Sequence, residues 1–241
     1  MNILTTKVLF TLKDITFLFL FLLLFSCDKQ TEISISKAQY TIGIYVDDFD
    51  GKNVFLYKTS PEFLLVDSTL IINNLARFKG RIDFPERYAL TIEGVKGGKL
   101  FIVENDSIEI IVDKNNLKQS VIKGSEINTD LVQFQNKSKQ IIAKIESFFP
   151  DLQRARLNND VEMLKKIASQ ILAIEKENIN FNFEYVAQHP TSFISAMILN
   201  DLSKREEINV DRIFKAFQSL SNNVKQSVDF KEVDLFLALQ L

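Results

Sequence analysis

From residue 38 to residue 124, apolar positions recur at every second residue in short runs. That is the period of half-buried strands. Residues 39–46 put Tyr40, Ile42 and Ile44 on one side, and Asp47-Asp-Phe-Asp-Gly51 follows as an acidic turn. Residues 53–57 and 63–66 predict two further strands, with Asp67-Ser68-Thr69 leading out as a strand-end turn. Asn73-Asn74 marks a turn before residues 76–82, where Phe78 and Ile82 point inward. Residues 88–92, 99–103, 107–112 and 120–124 bring the count to about eight short strands, separated by turns at 95–98 and 104–106. Such spacing predicts an antiparallel β-sandwich or a partly open barrel.

At Ser125 the period changes from two to 3.6. Leu131, Phe134, Ser138, Ile141, Ile142, Ile145 and Phe149 form one helical stripe, expected to stop at Pro150. A longer stripe runs from Leu164 through Ile167, Ile171, Ile179 and Phe183 to Val186, with Asp160 as its N-cap. Pro190, suited to a first turn, is expected to open a third helix. Asn209 or Asp211 opens a fourth, and residues 230–239 predict a fifth. The fold class expected is α+β: a β-rich domain over residues 38–124, followed by an α-helical module over residues 125–241.

The first residues have a different pattern. Lys7 and Lys13 precede an apolar run at residues 15–25, broken only by Thr16, which is too short for a comfortable membrane span. The run ends in Leu24-Phe25-Ser26-Cys27, which resembles a lipobox. Residues 1–26 then form a lipoprotein signal peptide, Cys27 takes the lipid, and residues 27–37 are a tether. Multiple acyl chains on one Cys anchor a protein effectively permanently. The implied location is the bacterial cell envelope, with the protein lipid-anchored.

Composition narrows the chemistry. The 241 residues include one Cys, one His and no Trp. A single thiol excludes an intrachain disulfide, a Cys-x-x-Cys pair and a four-Cys zinc site. A single imidazole excludes a multi-histidine metal centre. Cleavage after Ser26 removes two cations and one anion, taking the formal charge from −2 to −3. A mildly acidic chain of this kind argues against a nucleic-acid partner.

The remaining polar groups have simpler explanations than catalysis. Asp48, Asp50 and Gly51 suggest a calcium loop, but Lys52 falls where a ligand is needed, so an acidic β-turn is favoured. His189, just before Pro190, reads as a capping or packing residue at a tight turn. Ser68 has no nucleophile elbow around it. Glu104, Asp106 and Glu109 could be a carboxylate pair, but their setting fits a turn and a solvated strand face. Phe181 and Phe183 lie in polar sequence. Burial against the β-module is favoured over an exposed aromatic that meets a protein partner. No catalytic, cofactor-binding or metal-ligating residue is assigned.

Several stretches in order resemble a known family. Val66-Asp-Ser-Thr69, Phe78-Lys-Gly80, residues 101–110 and Val121-Ile-Lys-Gly-Ser125 are similar to the domain of unknown function 4369, and residues 185–196 resemble the helical segment that follows it. That domain begins many lipoproteins of one Gram-negative lineage, usually with a thioredoxin-like thiol–disulfide oxidoreductase domain later in the chain, so the resemblance implies the cell envelope of a Gram-negative bacterium, periplasmic or outer-membrane. The resemblance implies no catalytic residue in the part present here, and the chain has no Cys pair to which redox activity could be transferred. The expectation is a non-enzymatic, envelope-anchored lipoprotein that acts as a binding or accessory module. Its partners would be the membrane, through the N-terminal lipid, and a protein, peptide or glycan. The alternative is the N-terminal portion of a split oxidoreductase working with a separate thioredoxin-like protein. No cofactor is expected.

Overall fold

The computed structural model describes residues 39–240. The expected signal peptide and tether, with Cys27, lie outside the described residues. Eight strands form two four-stranded sheets. They are β1 (Tyr40–Tyr45), β2 (Asn53–Lys58), β3 (Leu64–Leu70), β4 (Leu75–Gly80), β5 (Glu86–Ile92), β6 (Lys99–Val103), β7 (Ser107–Ile111) and β8 (Val121–Lys123). One sheet has the order β4-β1-β7-β8 and the other β3-β2-β5-β6. The result is an open sandwich, not a closed barrel.

The alternating residues meet between the sheets. Ile42, Ile44, Phe78, Ile108 and Ile110 from the first sheet face Val54, Leu56, Leu90, Ile92 and Phe101 from the second, all buried. Each such side chain contributes about 1.5–3 kcal/mol. Leu117, in a 3-10 turn at Leu117–Gln119, joins this core.

Two features depart from the pattern-based expectation. The sandwich is not wholly antiparallel: β1 and β7 pair in parallel, Ile42 opposite Ile108 and Ile44 opposite Ile110. Alternation tells which face of a strand is buried, but not which strand lies beside it. The second departure is β3. Asp67, Ser68 and Thr69 are not a turn; they pair with Leu56, Phe55 and Val54, and a register shift at Leu56/Tyr57 bends the ladder there. An edge strand tolerates polar residues on both faces, which hides it from a periodicity test.

Six α-helices follow among the described residues. They are α1 (Glu126–Ala143), α2 (Phe149–Leu157), α3 (Val161–Gln188), α4 (Phe193–Ser203), α5 (Val210–Gln218) and α6 (Val228–Ala238). Ser125, Asp160, Ser192, Asn209 and Ser227 cap α1, α3, α4, α5 and α6 with side-chain oxygens. Pro150 does not end the helical run. It sits in the first turn of α2, where a missing N–H costs nothing, and a 3-10 turn at Lys144–Phe148 links α1 to it. Pro190 does not open α4; it lies in the preceding turn and Ser192 is the cap. Helix α4 is buried on every side from Ile194 to Asn200 and forms the centre of the helical layer. Sandwich and helices belong to one compact unit. No helix among the described residues is long and apolar enough to cross a membrane.

Candidate binding surface

The helical layer meets the sandwich on the outer face of the β3-β2-β5-β6 sheet. Ile102 of β6 faces away from the sandwich core and is fully buried in the apolar cluster of the helices. Strand β6 is a sheet edge, so its Ile102 backbone groups need partners from elsewhere. Asn128, in the first turn of α1, supplies both. Its Oδ1 accepts from Ile102 N at 2.8 Å, and its Nδ2 donates to Ile102 O at 2.7 Å. The same Nδ2 donates to Ser125 Oγ at 2.8 Å, and Ser125 Oγ–H donates to Glu104 Oε1 at 2.6 Å. The carboxamide therefore behaves as one residue of an extra strand.

A second polar cluster crosses the same seam. Arg87 of β5 lies opposite Ile102 in the ladder. Its guanidinium donates to Asp201 at 2.7 Å and also to Asp229. Asp229 accepts from Asn200 Nδ2 at 2.7 Å as well. Burial pulls the Arg87 pKa down, but Asp229 and Asp201 more than offset it and hold the pKa above its ordinary value. Arg87 Nε has no partner.

Beside this cluster lies a groove of about 430 Å³ between the sheet and helices α1 and α4. Leu100, Leu131, Phe134, Ile194 and Met197 make apolar walls, and Arg87, Thr59, Asp201 and Lys204 bring polar groups into it. Apolar walls with a few convergent polar groups are the usual make-up of a ligand site. A larger depression, about 800 Å³, lies between α3 and residues 204–209. Lys176, Lys204, Arg205 and Arg212 there face Glu175, Glu206 and Glu207, a mixed and solvated charge set.

The polar residues singled out in the sequence are dispersed. Asp50 accepts from Asn74 N at 2.8 Å and Asn73 N at 3.1 Å, so it ties the β1–β2 loop to the β3–β4 turn. Both asparagines have positive φ. Asp48 pairs with Lys114 at 2.9 Å. No group of three metal-ligating side chains occurs among the described residues. His189 is the C-cap of α3: its Nδ1 lies 2.9 Å from Tyr185 O, and its ring stacks on Tyr185 at 4.2 Å between centroids. Its own carbonyl accepts from Ser195 Oγ at 2.7 Å. Ser68 is in β3, Asp106 accepts from Ser107 N, and Glu109 is exposed on β7. Phe183 is buried with the Arg212 guanidinium 4.0 Å above its ring, and Phe181 stacks on Phe134 at 5.3 Å. Phe183 shares a buried cluster with the helices and with Ile102 of β6. Arg87, Asn128, Asp201 and Asp229 were invisible in the sequence, because nothing local distinguishes them from solvated polar residues.

An open two-sheet sandwich covered on one outer face by helices, with buried polar clasps and a groove at the seam, defines an α+β protein built around its β-module. Residues 21–131 match the family model described as Domain of unknown function (DUF4369). The matched stretch ends three residues beyond Asn128, so it takes in the sandwich and the first turn of α1 with its clasp. No curated protein matches the chain.

Proposed function

We propose that this protein is a lipid-anchored accessory lipoprotein of the Gram-negative cell envelope, and that it binds a polypeptide partner without catalysing a reaction. The observation that carries the binding reading is the seam groove. It combines apolar walls with the polar groups of Thr59, Gln135, Asp201 and Lys204, which can meet the backbone of a bound chain. An apolar side chain flanked by a backbone carbonyl fits this chemistry better than a glycan does. The non-enzymatic reading is supported by the use made of the polar candidates: His189, Glu104 and Asp50 each hold backbone or a neighbouring side chain in place. The anchor is supported by the apolar run at residues 15–25 followed by Cys27.

The test is site-specific photocrosslinking in the native envelope. A photoreactive residue at Leu100, on the groove wall and 60% exposed, is compared with one at Leu157, 84% exposed on α2. A discrete, saturable adduct at Leu100 alone is expected, and its loss when Met197→Trp fills the groove. Equal or absent capture at the two positions would remove the groove from the proposal. Recovery of a Cys-x-x-Cys protein at Leu100 would instead select the split-oxidoreductase reading.

A further inference from the structure

Strand β3 is the free edge of its sheet, and its beginning is apolar on both faces. Phe63 is 65% exposed, Leu64 61%, Leu65 49% and Val66 42%. Side chains in a strand alternate between faces, so four consecutive exposed apolar residues mean that this segment overhangs the sandwich. Scattered exposed apolar residues are ordinary, but a contiguous run is not. Edge strands normally carry charge or proline against self-association, and residues 63–66 carry neither. Phe63 is held in position by stacking on Tyr57 at 4.7 Å.

The topology says what lies opposite this overhang. Strands β3 and β4 are joined by the tight Asn73-Asn74 turn, so the end of β4 returns to the start of β3. Gly80, at that end, pairs with Tyr40, the first residue of β1. Leu64, Leu65 and Val66 accordingly share a depression with Arg81 and Ile82. The chain that carries Cys27 therefore enters the fold at the same rim as the apolar overhang. Thirteen steps separate Cys27 from Tyr40, a reach of at most about 45 Å at ~3.5 Å per residue. The exposed charges beside it are mixed, Arg77, Lys79 and Arg81 on and just beyond β4 with Glu62, Asp67 and Asp83, so the apolar side chains and the place where the chain enters carry the argument.

We propose that this rim, led by Phe63, Leu64, Leu65 and Val66, docks into the interface of the bilayer to which the chain is anchored. The proposal rests on the lipid-anchor reading and adds an orientation to it: the β3–β1 rim faces the membrane. Exposed apolar and aromatic side chains are the groups that sit at the headgroup boundary.

The chain has no Trp, so Phe63→Trp introduces a single fluorophore. The full-length lipidated variant is reconstituted in vesicles of phosphatidylethanolamine and phosphatidylglycerol, with and without brominated acyl chains. Ile72→Trp, 65% exposed beyond the far end of β3, is the control. Expected is a blue-shifted Phe63→Trp emission that loses half or more of its intensity to brominated lipid, with Ile72→Trp unchanged. If the protein floats with the vesicles but the two tryptophans are quenched equally, docking is overturned while the anchor stands. A blue shift without lipid quenching means that protein covers the edge, a strand added to β3 for example, and also overturns it. Failure to float overturns the anchor and the docking together.

Discussion

Replacing Asn128 by Ala tests the claim that a single carboxamide fastens the helical layer to the sandwich. Asn128 is 1% exposed and Ile102 is fully buried. The substitution strips partners from Ile102 N–H and Ile102 C=O at once and removes the contact to Ser125. Leaving a buried backbone group without a partner costs about 1–3 kcal/mol, so the pair costs about 4 kcal/mol. Entry of a water into the vacated space would bring the loss toward 2 kcal/mol. Against a total stability of ~5–15 kcal/mol, 4 kcal/mol is a large fraction. For a unit of about 200 residues it corresponds to a fall in Tm of roughly 8–16 °C. Asn128→Asp should not rescue, because a carboxylate can accept from Ile102 N–H but cannot donate to Ile102 C=O, and it buries a charge. Ser125→Ala removes the N-cap and the bonds to Asn128 Nδ2 and Glu104 but leaves both Ile102 bonds in place, and should cost about 1–2 kcal/mol. Urea denaturation gives the free energies, and hydrogen exchange at the Ile102 amide reports the bond itself. A cost for Asn128→Ala below that of Ser125→Ala, with the Ile102 amide still protected, would refute the reasoning.

Three further outcomes follow from the same geometry. Asp229→Ala leaves Arg87 with Asp201 alone and Asn200 Nδ2 unpaired; because Arg87 keeps some contact with solvent, about 2–3 kcal/mol should be lost in urea titrations. Gly124 has a φ of +79°, and an added Cβ would lie 2.4 Å from Ser107 O, so Gly124→Ala should cost about 2 kcal/mol or more and lower the thermal midpoint accordingly. Burial, with Glu86 and Tyr40 nearby, raises the Tyr88 pKa well above that of an ordinary phenol, and burial with Asp67 raises Tyr40. The folded state therefore holds these protons more tightly than the unfolded chain; the stabilisation is complete below pH ~10 and is lost as pH rises above it. Urea midpoints should begin to fall near pH ~10 and keep falling above it, and Tyr88→Phe should flatten that fall. An unchanged slope would show that Tyr88 does not couple to folding.

Periodicity alone determined much of this protein. Every second residue of β1, β5 and β7 being apolar was enough to locate those strands and their buried face, because strand geometry sends alternate side chains to opposite sides. The change of period at Ser125 marked the start of the helices, and Asp160 announced α3 through its short side chain. These are local effects, written in neighbouring residues. Partner choice is not local. The parallel β1–β7 pair joins segments more than sixty residues apart, and β3 survives as a strand only because β2 offers it a ladder. Pro150 and Pro190 each allowed two local outcomes, and the packing of the surrounding helices selected one.

The candidate surface divides in the same way. Composition removed intrachain disulfides, Cys-x-x-Cys chemistry and multi-Cys or multi-histidine metal sites from the list, since one thiol and one imidazole cannot build them. It could not reveal Arg87, Asn128, Asp201 and Asp229, which look in the sequence like any exposed polar residues. Only the tertiary structure brings them together, burying Asn128 and Asp229 so that an unmet hydrogen bond there costs kilocalories and each partner becomes specific, with Asp201 reaching in from the surface. The apolar run at residues 63–66 was legible as a strand; that it overhangs the sandwich beside the chain's entry into β1 was decided by the topology.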